Sequence, residues 1–427
     1  MSRRARCIVF TGILFALSSF IGCGGNFSVS LPVPTPIVNP KIKHIVIIMQ
    51  ENRTFDNMFN GFPGADTVQT GMSDGVSVPL QPVRLEHGSL LDNSHPGWWR
   101  NWDNGKMDGF ASTQYPTPNL AYAYVPQSET VPYWTLAKAY TLADRMFQSN
   151  TGPTFAAHQY MIAAQSGKTD GNPTGPIWGC DATPETRVAL LGPNGTDLPG
   201  VFPCFDYLTM ADHLDTKGIT WKFYTAPTSS GFMWSAFQAI RHIRFGPDWT
   251  NNLVSPETKV LADIKNGQLA QVTWIIPENA FSDHAGPGAT AEGPDWVASI
   301  TNAIGESQFW DSTAIFITWD DWGGWYDHVD PPKIDAMGLG FRVPLIVVSP
   351  FAKHGYISHQ THEVSGILKY TEEIFALTSL GQRDVAADDF ADCFDYTQAP
   401  QPYTPIPVTF TPAYFQARMP SGPPDND

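Results

Sequence analysis

The sequence predicts an α/β protein whose doubly wound, mostly parallel sheet carries helices on both faces and loop insertions between its elements. Short apolar runs recur along the chain and are continuous rather than alternating, as strands buried on both faces are. Segments with helical spacing lie between these runs. The 36 glycines and 37 prolines indicate many connecting loops.

Five apolar runs are predicted as strands of this sheet. They are "HIVIIM" at 44–49, "ITWKFYT" at 219–225, "VTWIIP" at 272–277, "TAIFIT" at 313–318 and "PLIVVS" at 344–349. Segments 131–147, 294–305 and 363–377 space apolar residues three and four apart and are predicted as helices. Ligands of doubly wound proteins bind beyond the carboxyl ends of the strands, so chemistry is sought at those positions.

The N-terminal segment has the pattern of an export signal. Residues 1–22 carry three arginines and then an apolar run too short to span a bilayer, which predicts a lipoprotein-type signal peptide. "FIGC" resembles a bacterial lipoprotein cleavage box with Cys23 as the lipidated residue, but Phe20 replaces the usual leucine, so ordinary signal cleavage is the alternative. The protein is therefore expected to be exported, and either anchored to the bacterial envelope or secreted.

Proline-rich segments bound the predicted globular domain on both sides. Residues 23–40 contain "LPVPTPIVNP" and predict an extended tether. Residues 41–397 form the predicted domain. Residues 398–427 are again proline-rich and predict a C-terminal tail along the surface.

Composition excludes some classes of protein. A net charge of -16 argues against nucleic-acid binding, which needs clustered lysine and arginine. In an exported protein Cys180 and Cys204, which flank a loop-rich stretch, are the favoured disulfide, and Cys393 is left over. The chain has no C-x-x-C pair, which argues against a zinc site.

Acidic and amide side chains follow two of the predicted strands. Asp320 and Asp321 come after "TAIFIT", and adjacent carboxylates favour a hard divalent cation, although an Asx turn feeding the Gly-Gly loop is the alternative. Glu51 and Asn52 end the first strand and could complete an oxygen-rich shell; alone, they suit a helix start and a turn. These four residues are the candidate metal ligands.

A helix start provides a candidate nucleophile. Thr154 follows "GP" into a helix, where free N–H groups and the helix dipole favour a phosphate and a metal could ionise the hydroxyl. The alternative is that Thr154 only caps the helix.

Several histidines are candidates for proton transfer or phosphate contact. His95, His284 and His328 lie in polar loops that contain glycine or proline, which suits those roles. By contrast His158 and His213 lie in helical patterns and are interpreted as structural.

Five segments together resemble a known family. They are "HIVIIMQENRTFDNMFNGFPGADT", "PYWTLAKAYTLADRMFQSNTGPTFAAHQYMIAAQSG", "FSDHAGPG", "TAIFITWDDWGGWYDHVDPP" and "FRVPLIVVSPFAKHGYIS". In this order they resemble the bacterial phosphoesterases that include acid phosphatases and non-specific phospholipases C, in the alkaline-phosphatase-like superfamily. "FAAHQ" stands where many relatives have Pro-Asn-Arg, which looks like the acid-phosphatase branch.

The resemblance implies a role for each candidate. The implied metal ligands are Glu51, Asn52, Asp320, Asp321 and Thr154, the implied nucleophile is Thr154, and the implied catalytic or phosphate-contacting histidines are His95, His284 and His328. The expected activity is a metal-dependent phosphomonoesterase that works through a phosphothreonine, with a divalent cation as cofactor. A phospholipase C-type phosphodiesterase acting on phospholipid head groups is the alternative. A non-catalytic, lipid-anchored glycan-binding protein is a third hypothesis, and it predicts that the polar residues at strand ends do not form one cluster.

Overall fold

The computed structural model describes residues 41–193, 195–227 and 234–421. The predicted signal peptide at 1–22, the tether at 23–40 and Cys23 lie outside the described residues, as does the end of the predicted tail at 422–427. Within the described ranges, no helix has both the length and the apolar character needed to span a bilayer.

Eight strands of the described residues form one central sheet. All strands of the described residues, in chain order and including those outside the central sheet, are β1 (His44–Gln50), β2 (Thr70–Ser73), β3 (Val76–Pro79), β4 (Gln81–Pro82), β5 (Ala123–Tyr124), β6 (Thr141–Ala143), β7 (Met146–Phe147), β8 (Val188–Leu191), β9 (Asp197–Val201), β10 (Trp221–Tyr224), β11 (Leu253–Val254), β12 (Val272–Ile275), β13 (Thr313–Trp319), β14 (Leu345–Val348), β15 (Tyr356–Ser358) and β16 (His362–Glu363). The sheet order is β11-β10-β12-β1-β13-β14-β6-β15, and its pairs are parallel except those of β14 with β13 and β6. The predicted α/β class is confirmed, and all five predicted strands lie in this sheet.

Helices connect and cover these strands. They are α1 (Phe55–Phe59), α2 (His95–Trp102), α3 (Val131–Ala139), α4 (Thr154–Ala163), α5 (Met210–Lys217), α6 (Arg241–Arg244), α7 (Asp248–Asn251), α8 (Lys259–Lys265), α9 (Gly293–Gly305), α10 (Ser365–Phe375) and α11 (Pro412–Ala417). Helices α3, α8 and α11 each contact α9, whereas α5 and α10 each contact α4.

The helix predicted over 131–147 is wrong in its second half. Helix α3 ends at Ala139, and Thr141–Ala143 forms β6 between β14 and β15. A short buried segment has the same apolar pattern whether it forms a helix or a strand. The spacing of apolar residues therefore does not distinguish the two structures. The hydrogen bonds offered by β14 and β15 decide the outcome here.

The register of the sheet brings two polar segments together. Gln50 pairs with Trp319 at the carboxyl ends of β1 and β13, so Glu51 and Asp320 follow neighbouring strands. Strand β12 lies on the other side of β1, and the chain after it leads to His284.

Part of the predicted tail packs onto the domain. Phe415 of α11 is buried against Phe281 and Trp296, with ring centroids 5.3 and 5.2 Å away. Backbone N–H groups of residues 409 and 410 donate to Asp295 Oδ2. The predicted Cys180–Cys204 disulfide is present.

We expect the stability of the protein to depend on the ionisation of Glu257. Burial raises the pKa of Glu257 to about 8, and the charge of Glu278 adds to the effect. The folded protein therefore binds the proton of the Glu257 carboxyl more tightly than the unfolded chain does. The stability that this proton contributes is fully present below pH 4 to 5 and is lost as the pH rises towards 8. Glu257→Gln removes the titration, and because one unit of pKa corresponds to about 1.4 kcal/mol, its advantage over wild type should grow by roughly 4 kcal/mol between pH 5 and pH 9.

Urea unfolding at pH 5, 7 and 9 measures this change. The matched control is Glu185→Gln, because Glu185 is exposed and this variant makes the same chemical change outside the core. Parallel profiles for Glu257→Gln and wild type would contradict the prediction.

Candidate functional site

The turn after β1 is interlocked with the turn after β13. Asn52 adopts a left-handed backbone conformation with φ of 60°, which asparagine tolerates better than most residues. In this conformation its backbone N–H donates to Asp320 Oδ1 at 2.9 Å. A Cβ atom on Gly323 would lie 2.2 Å from the carbonyl oxygen of Asn52, so only glycine allows the two turns to approach this closely.

Asp321 contacts its own turn and two distant parts of the chain. Its Oδ1 accepts the Gly323 N–H at 2.7 Å, which is the Asx turn anticipated from the sequence. Asn93 Nδ2 lies 3.3 Å from both carboxylate oxygens, and Thr154 Oγ1 donates to Oδ2 at 3.2 Å. The turn therefore aims this buried carboxylate at the candidate nucleophile, so the two interpretations of Asp321 are compatible.

Thr154 is the first residue of α4 and is almost completely buried. The N–H of Phe155, in the same turn, donates to Asn172 Oδ1 at 3.0 Å. This N–H thus already has an acceptor within the protein. From the sequence, the N–H groups at this helix start were expected to be free for phosphate. The contact between Thr154 and Asp321 places the hydroxyl beside the carboxylates.

His158 belongs to the same cluster, which the interpretation of this residue as structural did not anticipate. Its Nε2 lies 2.9 Å from Glu51 Oε1 and 3.7 Å from Asp320 Oδ2. The possible metal-binding atoms of these three buried residues all lie within 4.8 Å of one another. His158 follows Thr154 by four residues, and such residues share one face of a helix, so the spacing was the signal available in the sequence.

The electrostatics of this cluster fit a divalent cation. Burial raises the pKa of Asp320 well above its ordinary value, and the charge of Glu51 raises it further. Asp320 Oδ2 accepts no hydrogen bond from the described residues. Burial also lowers the pKa of His158, which favours its neutral form. Several carboxylates beside a neutral imidazole are a donor set for a divalent metal ion, whose charge would offset their repulsion.

The arrangement of the polar residues at the strand ends differs from the one that the glycan-binding hypothesis predicted. That hypothesis predicted that polar residues at the strand ends remain apart, whereas Glu51, Asn52, Asp320 and Asp321 converge with Thr154.

His95 lies at the start of α2, and its contacts include Trp99 and Thr151. Trp99 Nε1 donates to its Nε2 at 2.9 Å, and its Nδ1 lies 2.9 Å from Thr151 Oγ1. Because an indole nitrogen can only donate, Nε2 is the acceptor and Nδ1 carries the proton of the neutral ring. Thr151 is three residues before Thr154, so His95 stands near the start of α4.

His284 contacts Asn52. Its Nε2 lies 2.8 Å from Asn52 Nδ2, and its Nδ1 forms a short contact with the Ala285 carbonyl oxygen. The amide donates to Nε2, so Nδ1 carries the proton and donates to the carbonyl. The indole of Trp234 stacks on the imidazole with ring centroids 5.6 Å apart. His284 thereby fixes the orientation of the Asn52 amide.

His328 belongs to a different network. It contacts Asp56 Oδ2 at 2.6 Å and Asp66 Oδ1 at 3.1 Å, beside the buried guanidinium of Arg342. Arg342 in turn forms two hydrogen bonds with Asp327. Burial lowers the pKa of His328, but the hydrogen bond and charge of Asp56 outweigh this effect, so the pKa is raised. None of these described partners is a predicted site residue.

An aromatic pocket adjoins the candidate site. Its volume is about 270 Å³, and its lining includes Trp98, Trp99, Thr151 and Lys333. Lys333 Nζ lies 3.3 Å from the ring centroid of Trp102 and 4.2 Å from that of Trp99. Since Thr151 also contacts His95, the pocket shares a wall with the candidate site.

Comparisons with known proteins find relatives of this chain. The chain is 25% identical over 440 residues to phospholipase C B of Mycobacterium tuberculosis, covering 87% of this chain and 81% of that protein. It is 27% identical over 412 residues to the non-hemolytic phospholipase C of Burkholderia pseudomallei, covering 78% of this chain and 55% of that protein. A solved structure from Vibrio parahaemolyticus, described as a protein in the alkaline phosphatase superfamily, aligns over 84% of this chain and 72% of its own with 11% identity and a TM-score of 0.42.

The family assignment covers most of the predicted domain. Residues 42–378 match the Phosphoesterase family, and this range contains every candidate site residue. The chain therefore belongs to the Phosphoesterase family and is a hydrolase of phosphoric esters.

Proposed function

We propose that the protein is a divalent-metal-dependent phosphomonoesterase that works through a covalent phosphothreonine. The observation that carries the proposal is the contact of Thr154 Oγ1 with Asp321 Oδ2 at 3.2 Å, beside the buried group of Glu51, His158 and Asp320. A hydroxyl at a helix start, next to a set of carboxylates, has the surroundings that an activated nucleophile needs.

Glu51, Asn52, Asp320, Asp321 and Thr154 would hold the cation. His158 either joins this set through Nε2 or orients Glu51 from behind it, since both contacts use the same nitrogen. When bound, a divalent cation supplies positive charge that favours the ionised hydroxyl and offsets the charge of the phosphate oxygens.

The covalent step uses residues of the chain. Thr154 Oγ1 attacks phosphorus in line, a new oxygen–phosphorus bond forms and the bond to the leaving oxygen breaks. The hydroxyl proton passes to Asp321 Oδ2, its hydrogen-bond acceptor. Water then attacks the phosphothreonine: its O–H group stays on the released phosphate, and its second proton passes through solvent to the leaving oxygen, which departs as the alcohol. Asp321 returns its proton to Thr154 Oγ1 and so restores the hydroxyl.

The histidines are assigned from their contacts. We place His95 on the leaving-group side, because its imidazole is held between Thr151 and Trp99 at the wall of the aromatic pocket. We assign His284 to positioning the Asn52 amide, since its Nε2 accepts from that group. His328 is assigned to the scaffold around Arg342.

The alternative activity is that of a phospholipase C-type phosphodiesterase, as in the names of the relatives from M. tuberculosis and B. pseudomallei. Choline head groups are recognised through the faces of aromatic rings. Here the ammonium of Lys333 already lies over Trp99 and Trp102, so a quaternary ammonium would have to displace it. This arrangement favours the phosphomonoesterase over a phosphodiesterase that binds choline head groups.

We expect Lys333→Ala to shift specificity towards choline esters. Removal of the competing ammonium should raise the ratio of kcat/KM for p-nitrophenylphosphorylcholine to that for p-nitrophenyl phosphate by about three- to tenfold, in line with cation–π energies of roughly 0.5–2 kcal/mol. Steady-state kinetics on both substrates measures the ratio. The matched control is Lys353→Ala, because Lys353 stacks on Tyr356 and does not line the pocket. An unchanged ratio in Lys333→Ala would contradict the assignment of the pocket to the leaving group.

Parallel assays test the proposed activity. The full chain is incubated with p-nitrophenyl phosphate and p-nitrophenylphosphorylcholine, with and without a chelator, followed by readdition of Mg²⁺, Mn²⁺ or Ca²⁺. We expect faster turnover of the monoester, loss of turnover with chelator and recovery with one cation. Faster turnover of the diester would favour the phospholipase C alternative, and chelator-insensitive turnover without bound metal would remove the cation from the proposal.

We further propose that the protein is exported and anchored in the bacterial envelope through Cys23. The support is the sequence of residues 1–40, with its signal-like run, its cleavage box and its proline-rich tether.

A further inference from the structure

A second group of metal-binding side chains lies outside the candidate site, beside β15 and β16. His362 Nε2 is 3.4 Å from Asp392 Oδ1 and 4.0 Å from Cys393 Sγ, and Cys393 Sγ is 3.7 Å from the same Asp392 oxygen. His362 and Cys393 are completely buried. The three residues come from two separate segments of the chain, so no short spacing motif marks them in the sequence.

The separations fit a tetrahedral ion. Zinc binds imidazole nitrogen and carboxylate oxygen at about 2.0–2.2 Å and thiolate sulfur at about 2.3 Å, and a tetrahedron of those bond lengths has edges of roughly 3.3–3.8 Å. The three measured separations lie within a few tenths of an ångström of this range. Three donor atoms are therefore arranged as three corners around one point.

The imidazole is oriented as in a metal site. His362 Nδ1 lies 2.6 Å from Asp388 Oδ1, which directs Nε2 towards Asp392 and Cys393. A carboxylate behind a ligating histidine is the usual second layer of a zinc site, because it fixes the ring and strengthens the nitrogen as a ligand. Phe390 stacks on the same ring with centroids 4.6 Å apart, which restricts its rotation further.

A hydrogen bond that orients Asp392 and a route from solvent are also present. Ser358 Oγ lies 2.8 Å from His362 Nε2, closer than an edge of the tetrahedron, and donates to Asp392 Oδ2, which orients that carboxylate. The side chains of Asp388 and Asp392 are 35% and 22% exposed, which connects the buried group to the surface.

We propose that His362, Asp392 and Cys393 bind one zinc ion in a structural site separate from the phosphoesterase centre. Binding replaces the Cys393 thiol proton, which is released to solvent, while His362 keeps its proton on Nδ1 and ligates through Nε2. The sulfur ligand selects zinc over Mg²⁺ or Ca²⁺, whereas the proposed catalytic set is rich in oxygen. The ion joins β16 to the segment of Cys393, whose carbonyl already accepts from Thr141 of β6.

The test is a cobalt and zinc titration of the full chain after treatment with a strong chelator. We expect Co²⁺ to produce a near-ultraviolet sulfur-to-cobalt absorption band with a stoichiometry of one per chain, and Zn²⁺ to abolish that band and raise Tm. Cys393→Ser should lose the band and the increase in Tm while retaining p-nitrophenyl phosphate turnover. Asp392→Asn, a change at a partly exposed residue, should keep the fold and weaken zinc affinity by about tenfold or more.

Asp321→Asn is the matched control, because it alters the candidate catalytic centre and should keep the sulfur-to-cobalt band. Circular dichroism of each variant before titration shows whether it has folded, and Asp392→Asn decides the test if Cys393→Ser does not fold. Absence of the band in wild type would overturn the proposal and leave Ser358, His362 and Asp388 as a metal-free hydrogen-bond network. A band that persists in Cys393→Ser would overturn it too, because the sulfur would then belong to another cysteine.

Discussion

Replacement of Thr154 by valine should lower kcat for p-nitrophenyl phosphate by at least about a thousandfold, since loss of a covalent nucleophile typically costs roughly 10³–10⁶ in rate. Valine has the shape of threonine and lacks the hydroxyl that donates to Asp321 Oδ2. Because Thr154 is buried in the first turn of α4, this isosteric change separates the chemistry of the hydroxyl from packing. Acid quenching during turnover, followed by mass spectrometry, should find phosphate on residue 154 of wild type and none in the variant.

Thr154→Ser is the matched control for this experiment. Serine keeps the oxygen nucleophile and loses one methyl group, so we expect it to retain at least about a tenth of wild-type kcat and to form a phosphoserine. Undiminished turnover in Thr154→Val would contradict the assignment of the nucleophile. Phosphate trapped on another residue of wild type would contradict it as well.

The fold followed from the sequence wherever a segment was both long and buried. Strands β1 and β13 read as continuous apolar runs because both faces of the sheet are covered, and their ends were recognisable from the polar residues that follow. Strand β6 could not be recognised, because three residues carry no period and are fixed only by their neighbours β14 and β15. Long-range hydrogen bonds decided that element.

The residues of the candidate site were likewise only partly predictable from the sequence. Pairs of adjacent polar residues at strand ends, such as Asp320 and Asp321, indicated a cation before their geometry was known. His158 was missed because helical spacing was taken as evidence of a structural residue, although the same spacing places it one turn from Thr154. His328 shared the polar loop character of His95 and His284, yet it contacts Arg342 and its carboxylates. Which charged groups face a histidine depends on tertiary contacts that loop composition does not encode.

Asp320→Asn should strongly reduce cation-dependent turnover and, in chelator, make the protein more stable than wild type. Without a cation, the Asp320 carboxylate is buried beside Glu51, and burial together with that charge raises its pKa well above the ordinary value. A carboxylate whose pKa is raised on folding contributes stability at low pH that is lost as the pH rises, so the advantage of asparagine should grow with pH. The amide also keeps an oxygen that can accept the Asn52 N–H.

Added cation should reverse this order of stability. An ion that binds only the folded state stabilises it by about 2.7 kcal/mol at a concentration a hundred times Kd. Because the variant lacks one charged ligand, the cation should raise the Tm of wild type more than that of the variant. Turnover of the variant should fall by more than about a hundredfold, beyond the loss typical of residues that only orient a ligand. Thermal unfolding at pH 6 and 8, with chelator and with excess cation, measures both effects.

Asp327→Asn distinguishes a cation site from any other buried carboxylate. Asp327 is as buried as Asp320, but it forms two hydrogen bonds with the guanidinium of Arg342. Its replacement leaves a buried guanidinium short of a partner and should destabilise the protein equally with and without cation. If Asp320→Asn behaved in the same way, the carboxylates after β13 would act as structural partners, and the chemistry of Thr154 would have to proceed without a metal ion.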